Sequence, residues 1–213
     1  MLSARPGMEA QARRRIWQYA CKRAVDIIVS GALLIILFPL LVAIGIAIKI
    51  SSAGQVLYRW PVVGTGGNAL KAYKFRTMVV GADDMKGQLL DKNESTGPVF
   101  KMKNDPRVTR VGRMLRKFSL DELPQLWSVL KGDMSLVGPR PVLTYEWEGF
   151  SEWHRRKLSV KPGMICLWHL RGQPRDFDQW VRHDLEYIDN WSFWLDLKVL
   201  AGAAAYVTMG KNY

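Results

Sequence analysis

The chain has 213 residues, 48% of them apolar and 23% charged, which excludes a disordered or fibrous protein and leaves room for one domain with an appendage. The 31 Lys and Arg against 19 Asp and Glu give a net charge of +12, which favours polyanionic partners such as nucleic acid, anionic lipid or phosphorylated substrates without choosing among them. Cys21 and Cys166 stand outside any CxxC or Cys/His cluster, so neither a disulfide framework nor a zinc site is implied. The 9 Trp point towards lipid, because indole favours places where one end is apolar and the other wet.

Residues 1–20 read as a basic extension. Ile27 to Ile48 then forms a run of 22 residues without a charge, bounded by Asp26 and Lys49. At about 1.5 Å per residue a straight helix of that length reaches roughly 33 Å, just enough to span a bilayer. The run is too long for a signal peptide, and no small-residue cleavage site precedes Lys49. Pro39 in its middle removes a backbone donor and clashes with the preceding turn, which predicts a sharp bend. Arg5, Arg13, Arg14, Arg15, Lys22 and Arg23 precede the run, and Lys49, Arg59, Lys71, Lys74 and Arg76 come after it. Because positive flanks stay cytoplasmic, a hairpin over 21–50 that enters, bends and returns is favoured over a kinked span or a buried core helix.

Residues 51–213 change to short apolar runs and turns. Val56 to Val63 and Leu70 to Met78 predict two strands joined by Gly64-Thr65-Gly66-Gly67-Asn68, a hairpin turn rather than a phosphate loop because the Gly-Lys-Ser/Thr ending is missing. Ala82 to Leu90 predicts a short helix, and Asp91 to Asp105 a loop. Leu123, Leu126, Trp127 and Leu130 fall on one face of a helix of about ten residues, with Ser119 and Glu122 spaced as a capping box and Gly132 as a stop. Its first turn carries Asp121 and Glu122 at the positive end of the dipole, which lowers carboxylate pKa values and attracts phosphate. Two adjacent acids alone are ordinary caps. Arg110, Arg113, Arg116 and Lys117 before them, and Arg140 in the stiff turn Gly138-Pro139-Arg140-Pro141 after them, suggest instead a site for a phosphorylated lipid or nucleotide.

In these blocks the sequence resembles the bacterial sugar transferases, the monotopic phosphoglycosyl transferases that begin glycan assembly on a polyprenyl phosphate. The resemblance runs through Lys22-Arg23-Ala24-Val25-Asp26, Tyr73-Lys74-Phe75-Arg76-Thr77-Met78, Leu120-Asp121-Glu122-Leu123-Pro124-Gln125-Leu126, Gly132-Asp133-Met134-Ser135-Leu136-Val137-Gly138-Pro139-Arg140-Pro141, Asp184-Leu185-Glu186 and Leu195-Asp196-Leu197-Lys198. It implies a mixed, helix-rich α/β fold: a re-entrant helix-break-helix at Pro39 and a compact catalytic part with interfacial amphipathic helices on the cytoplasmic face of a bacterial inner membrane. It implies transfer of a sugar 1-phosphate, of hexose type, from a UDP-sugar to undecaprenyl phosphate, releasing UMP and starting an exopolysaccharide, capsule or O-antigen type glycan. By position Asp121 matches the nucleophile of a covalent phosphosugar intermediate and Glu122 its magnesium-associated partner, the two acids holding Mg2+. Lys74, Arg76, Arg116, Arg140, Asp133, Asp184 and Asp196 match substrate- and phosphate-binding positions.

Two blocks depart from the family pattern. Trp60-Pro61-Val62-Val63-Gly64 replaces a polar Gln and Arg before the hairpin turn. In Lys161-Pro162-Gly163-Met164-Ile165-Cys166-Leu167-Trp168-His169-Leu170-Arg171-Gly172-Gln173, the usual closing Arg is Gln173, with Arg171 or Arg175 as spatial substitutes, and His169 reads first as a structural histidine. These changes bear on donor recognition and leave the identity of the sugar open. The rival class is a noncatalytic basic module that adheres to anionic lipid or a membrane-bound partner. Nucleic acid is disfavoured, since the basic residues are dispersed and an apolar hairpin has no use there. A homo-oligomer is compatible with the sequence.

Overall fold

The computed structural model describes residues 6–172, 174 and 176–208, with side chains described from 15 to 203. Arg5, Gln173 and Arg175, and the side chains of Arg13 and Arg14, lie outside the described residues. The fold is a mixed, helix-rich α/β arrangement.

Helix α1 (Pro6–Ile36) runs unbroken through residue 20 and is followed at Leu37 by α2 (Phe38–Ser51), with a bend of 61° between them. The bend arises where the sequence places it. Pro39 sits in the first turn of α2, where its missing N–H is tolerated, and Leu37 closes the gap by accepting from Leu41 N at 2.9 Å. No single helix among the described residues is long and apolar enough to cross a membrane, but this bent pair passes the same test jointly. A buried core helix is ruled out for the pair. Ile27, Ile28, Ile35, Ile36, Phe38, Val42, Ile46 and Ile50 are all exposed, Ile35 by 78% and Ile50 by 82%.

Polar side chains fix the lower part of α1 to the remainder. Lys22 Nζ donates to Val137 O at 2.8 Å and pairs with Asp196 at 2.7 Å. The Arg23 guanidinium caps the chain reversal behind Leu126 and Val129, donating to Val129 O and Leu130 O at 2.7 Å each. Buried Asp26 accepts from Ser135 Oγ and from Leu136 N at 2.9 Å each.

Strands β1 (Leu57–Val63) and β2 (Ala69–Phe75) form the expected hairpin, in register from Leu57 opposite Phe75 to Val63 opposite Ala69. The Gly-rich segment between them is a turn, with a 3-10 piece at Thr65–Gly67 and no more. β2 ends three residues short of Met78, which makes only an isolated bridge to Val108. The segment expected to be helical over 82–90 is a 3-10 stretch at Asp84–Lys92 instead. After the loop come α3 (Arg110–Lys117), a 3-10 turn at Leu120–Glu122, and α4 (Gln125–Lys131), stopped by Gly132 in the left-handed region at φ 92°.

β3 (Ser135–Val137) leads through the Pro139-Arg140-Pro141 turn to β4 (Val142–Leu143), which adds to β1 to give a sheet of order β2-β1-β4. The helices α5 (Thr144–Glu148) and α6 (Glu152–Arg155) come next, then β5 (Gly163–Ile165), parallel to β3. Gly163 is required there: a Cβ on it would lie 2.0 Å from Gly138 N. α7 (Trp168–Arg171), α8 (Phe177–Asp189) and α9 (Phe193–Thr208) complete the order. The main core joins Val62, Ala72, Leu126, Val129, Met134, Leu136, Val137, Leu167, Tyr187 and Val199.

A buried ion pair holds the loop after the 3-10 stretch. Arg107 Nη2 and Nε donate to Asp105 at 2.7 and 2.9 Å, and Nη1 to Ala82 O at 3.1 Å, with both side chains about 5% exposed. Burial opposes ionisation of Asp105, but hydrogen bonds and charge from Arg107 prevail and hold its pKa below the ordinary value. A carboxyl so depressed stabilises the fold above its unfolded pKa of about 3.9, and that contribution is lost as pH falls through the folded value. Asp105→Asn strands the guanidinium and is expected to cost about 3 kcal/mol. In thermal unfolding followed by Trp fluorescence this is a fall in Tm of roughly 6–12 °C at pH 7 for a chain of this size, with the gap to wild type narrowing below pH 4.

Candidate active site

Asp121 and Glu122 do not occupy the first turn of an α-helix. They sit in the 3-10 turn Leu120–Glu122, closed by Glu122 N to Ser119 O at 3.2 Å and Leu123 N to Leu120 O at 3.3 Å, and α4 begins only at Gln125 with 7 residues rather than about ten. The capping box is not formed: Ser119 is in the left-handed region at φ 52°, and its side chain does not cap the turn. Pro124, without an N–H, separates turn from helix. The shift also changes the buried face of α4. Gln125, Leu126, Ser128 and Val129 are buried, whereas Trp127, expected on the inner face, is 53% exposed.

The turn opens onto a cleft of about 240 Å³ lined by Trp60, Lys74, Phe100, Lys101, Arg116, Asp121, Glu122, Gln125, Arg140, Cys166, Trp168, His169 and Trp180, among others. β2 supplies Lys74, whose Nζ donates to Glu122 Oε1 at 2.7 Å and lies 3.6 Å from the centroid of the Trp60 ring. The indole thus meets the same cation as the carboxylate, a use of Trp60 that the loss of a polar residue there does not suggest. Arg116 enters from α3 with Nε donating to Thr77 Oγ1 at 2.9 Å. Arg140 arrives on its Pro-bounded turn and is fixed from behind. Its Nη1 and Nη2 donate to Glu146 at 3.0 and 3.2 Å, its backbone N donates to Asp184 Oδ1 at 3.1 Å, and its guanidinium lies 4.9 Å from the Trp180 ring. Glu146 is completely buried. No local pattern marks it, because its partner is six residues earlier across a strand and a turn.

The other expected binding residues lie elsewhere among the described contacts. Arg76 donates to Ser52 O and Ser52 Oγ at 2.9 Å each and to Ala53 O, tying β2 to the end of α2. Asp133 pairs with Lys131 at 3.3 Å on the surface. Asp196 holds α1 through Lys22 and accepts from Tyr187 Oη at 2.7 Å. Asp184 lies behind the cleft, 2.5 Å from Lys157 Nζ with both side chains 1% exposed, and reaches the site only through the backbone of Arg140. His169 lines the cleft, its Nδ1 accepting from Cys166 N at 3.0 Å and its ring stacked 3.9 Å from that of Trp168. Burial pushes its pKa down, which keeps the imidazole neutral.

The electrostatics separate the two acids. Burial, then the adjacent Glu122 charge, push the Asp121 carboxyl up to about 6, against the pull of Lys74 and Arg116. The dipole expectation of a depressed value fails for Asp121, since desolvation and a like charge outweigh a short turn. For Glu122 burial also opposes the charge, but the Lys74 charge and hydrogen bond prevail and hold it below the ordinary value. The cleft therefore makes Glu122 the more acidic of the two and leaves Asp121 to titrate about one pH unit below neutral pH.

These causes fix signs that can be measured. In buffer without divalent cations, the carboxyl signal lost in Asp121→Asn should titrate near pH 6 in the wild type. Glu122→Gln removes the like charge and should move that midpoint to lower pH; Lys74→Met removes the opposing cation and should move it higher. Equal midpoints in all three, read by infrared difference titration of isotope-labelled aspartate, contradict the assignment.

Comparison with known proteins identifies the family. The family described as bacterial sugar transferase matches residues 17–210. The chain is 42% identical over 194 residues to the galactosyl transferase CpsE of Streptococcus agalactiae, covering 90% of this chain and 43% of the relative. It is 41% identical over 191 residues to the undecaprenyl-phosphate galactose phosphotransferase of Salmonella typhimurium, covering 87% and 40%. With the exopolysaccharide production protein ExoY of Rhizobium meliloti it shares 37% over 196 residues, 90% of this chain and 87% of that one. The chain thus spans about two fifths of the length of the first two relatives and most of the third. With nearly its whole length matched, and the adjacent acids set among Lys74, Arg116 and Arg140, the chain belongs to the bacterial sugar transferase family.

Proposed function

We propose that this protein transfers a sugar 1-phosphate, of hexose type, from a UDP-sugar to undecaprenyl phosphate in two displacements at Asp121, releasing UMP. The observation that carries the reading is the cleft in which Asp121 and Glu122 share one wall with Lys74, Arg116 and Arg140. The similarity to the Salmonella undecaprenyl-phosphate galactose phosphotransferase supports the acceptor and the reaction class.

In the first displacement a carboxylate oxygen of Asp121 attacks the β-phosphorus of the donor. The bond from that phosphorus to the bridging oxygen breaks, its electron pair leaves with UMP, and the sugar phosphate stays on the enzyme as an acyl phosphate. In the second, a phosphate oxygen of the lipid attacks the same phosphorus, the bond to Asp121 breaks, and the carboxylate is regenerated with a lipid diphosphate sugar as product. A pKa of about 6 suits this role: the group is ionised at neutral pH yet more basic than an ordinary aspartate. Arg116 and Arg140 offer planar donors to the diphosphate, and Lys74 a point charge. His169 is fixed beside the cleft by Nδ1, which meets both Cys166 N and Cys166 O, at 3.0 and 3.1 Å.

The donor set suits magnesium. No three His, Cys, Asp or Glu side chains cluster among the described residues to enclose a metal, and magnesium characteristically binds through one or two carboxylates plus substrate phosphates. Asp121 and Glu122 would hold it, and when bound it supplies neutralisation of charge on the diphosphate.

The bent pair α1–α2 is read as re-entrant, with the catalytic part on the cytoplasmic face of the inner membrane. Its exposed apolar side chains, the 61° bend and basic residues on both flanks support that placement. Exposed Cys21 and a cysteine introduced by Ser52→Cys should then react with an impermeant thiol reagent from the same side of sealed vesicles. Labelling from opposite sides refutes the hairpin.

The chemistry is tested without acceptor. UDP-sugar and Mg2+ alone should release UMP up to about one equivalent of enzyme and then stop, because the phosphosugar has nowhere to go. Asp121→Asn should abolish the burst, and Glu122→Gln should slow it by roughly 100-fold or more. Absence of UMP until lipid phosphate is added contradicts the two-step reading.

A further inference from the structure

The cleft is bordered by neutral donors as well as by charges. Gln125, the first residue of α4, is 1% exposed and lines the cleft, yet among the described residues its Nε2 has no hydrogen-bond partner. A primary amide buried without a bond weakens the fold, so proteins rarely keep one that has no use. Trp168 Nε1, on α7 at another edge of the cleft, is likewise a buried donor without a partner among the described residues. Both N–H groups are set for acceptors that enter the cleft from outside the chain.

The position of Gln125 is fixed by the face it belongs to. Gln125, Ser128 and Val129 fall at i, i+3 and i+4 and are all buried. Val129 lies in the main core, and Ser128 Oγ donates to Lys71 O at 3.4 Å, which ties this face of α4 to β2, the strand that carries Lys74. Only Glu122, Leu123 and Pro124 separate Gln125 from Asp121. In the two displacements proposed above, the nucleotide leaves after the first and the lipid arrives for the second. The β-phosphoryl group alone is bonded to Asp121 between them, with the sugar attached beyond it. Lys74 is already engaged with Glu122, and Arg140 with Glu146. A further cation beside the nucleophile would also attract Asp121 itself, whereas a carboxamide supplies an N–H without net charge.

We propose that Gln125 Nε2 donates a hydrogen bond to a nonbridging oxygen of the transferred phosphoryl group in both displacements. The inference rests on the two-step reading of the site. In each transition state charge is spread over the three equatorial oxygens on phosphorus, and a donor held in place by the fold meets it without reorganisation. The amide gains its partner only when substrate is bound. It therefore lowers the stability of the free enzyme while raising the rate of both steps.

The test is Gln125→Met, which nearly keeps the volume and removes the N–H, in the full chain in detergent micelles with Mg2+. The donor is UDP-glucose or UDP-galactose, whichever the wild type turns over. By quench flow, the UMP burst at saturating donor and the discharge of the phosphosugar by undecaprenyl phosphate should each slow by roughly 100-fold. The half-saturating donor concentration should change less than about threefold, since the lost contact belongs to the transition state. The thermal unfolding midpoint of the free variant should equal or exceed that of the wild type, because no bond is lost. Wild-type rates in both steps overturn the proposal. A slowed burst with normal discharge overturns it too, by assigning Gln125 to the departing nucleotide. Slowed steps with a lowered midpoint make Gln125 a structural residue and equally overturn it. A wild type that releases no UMP until lipid phosphate is added overturns the two-step reading, and this inference with it.

Discussion

Two carboxylates at consecutive positions in a partly shielded cleft compete to ionise, and the 2.7 Å contact between Lys74 and Glu122 decides between them. With Lys74 committed to Glu122 and pressed against the Trp60 face, Glu122 stays charged, and its charge together with burial raises Asp121. The asymmetry between neighbours of nearly identical chemistry comes from one cation on β2. Everything else about the site concerns holding that strand, the 3-10 turn and the Arg140 turn at fixed separation.

Much of the remaining polar chemistry serves that purpose. Glu146 and the Trp180 ring hold the Arg140 side chain, while Asp184, itself bound to buried Lys157, holds its backbone. Lys22, Arg23 and Asp26 on one stretch of α1 bind β3, the end of α4 and Asp196 on α9. Such pairs cost desolvation and add little net stability, but removing one partner strands a buried charge. The apolar pair α1–α2 is thereby joined through side-chain hydrogen bonds to β3, α4 and α9, the elements packed behind the cleft.

The parts of this arrangement legible in sequence are those set by local stereochemistry. Pro39 announced a bend, the Gly64–Asn68 segment a hairpin turn, and Gly132 a helix stop that is realised at φ 92°. What failed depended on tertiary context. Ser119 and Glu122 have capping-box spacing, yet the 3-10 turn and Pro124 delay α4, rotating Val129 inward and Trp127 outward. Asp184 and Asp196 came forward from the motif blocks, and their partners in the fold, Lys157 and Lys22, lie 27 and 174 residues away in sequence, beyond any local pattern. Glu146 was missed because its partner Arg140, six residues earlier, is separated from it by β4 rather than set at helical spacing, and Arg76 is drawn to the carbonyls at the end of α2 rather than to the cleft. Matching motif blocks by family position brought Asp121, Glu122, Lys74, Arg116 and Arg140 forward, and the fold places those five around one cleft.

The central claim is that Asp121 itself carries the sugar phosphate between donor and lipid. Its most direct measurement is rapid acid quenching of wild-type enzyme with a UDP-sugar and no acceptor, followed by intact-mass analysis and peptide mapping. A single added phosphosugar is expected on the peptide containing Asp121, removed when lipid phosphate is supplied before the quench. An unmodified enzyme under conditions where lipid phosphate supports full turnover, or an adduct on any other residue, would contradict it.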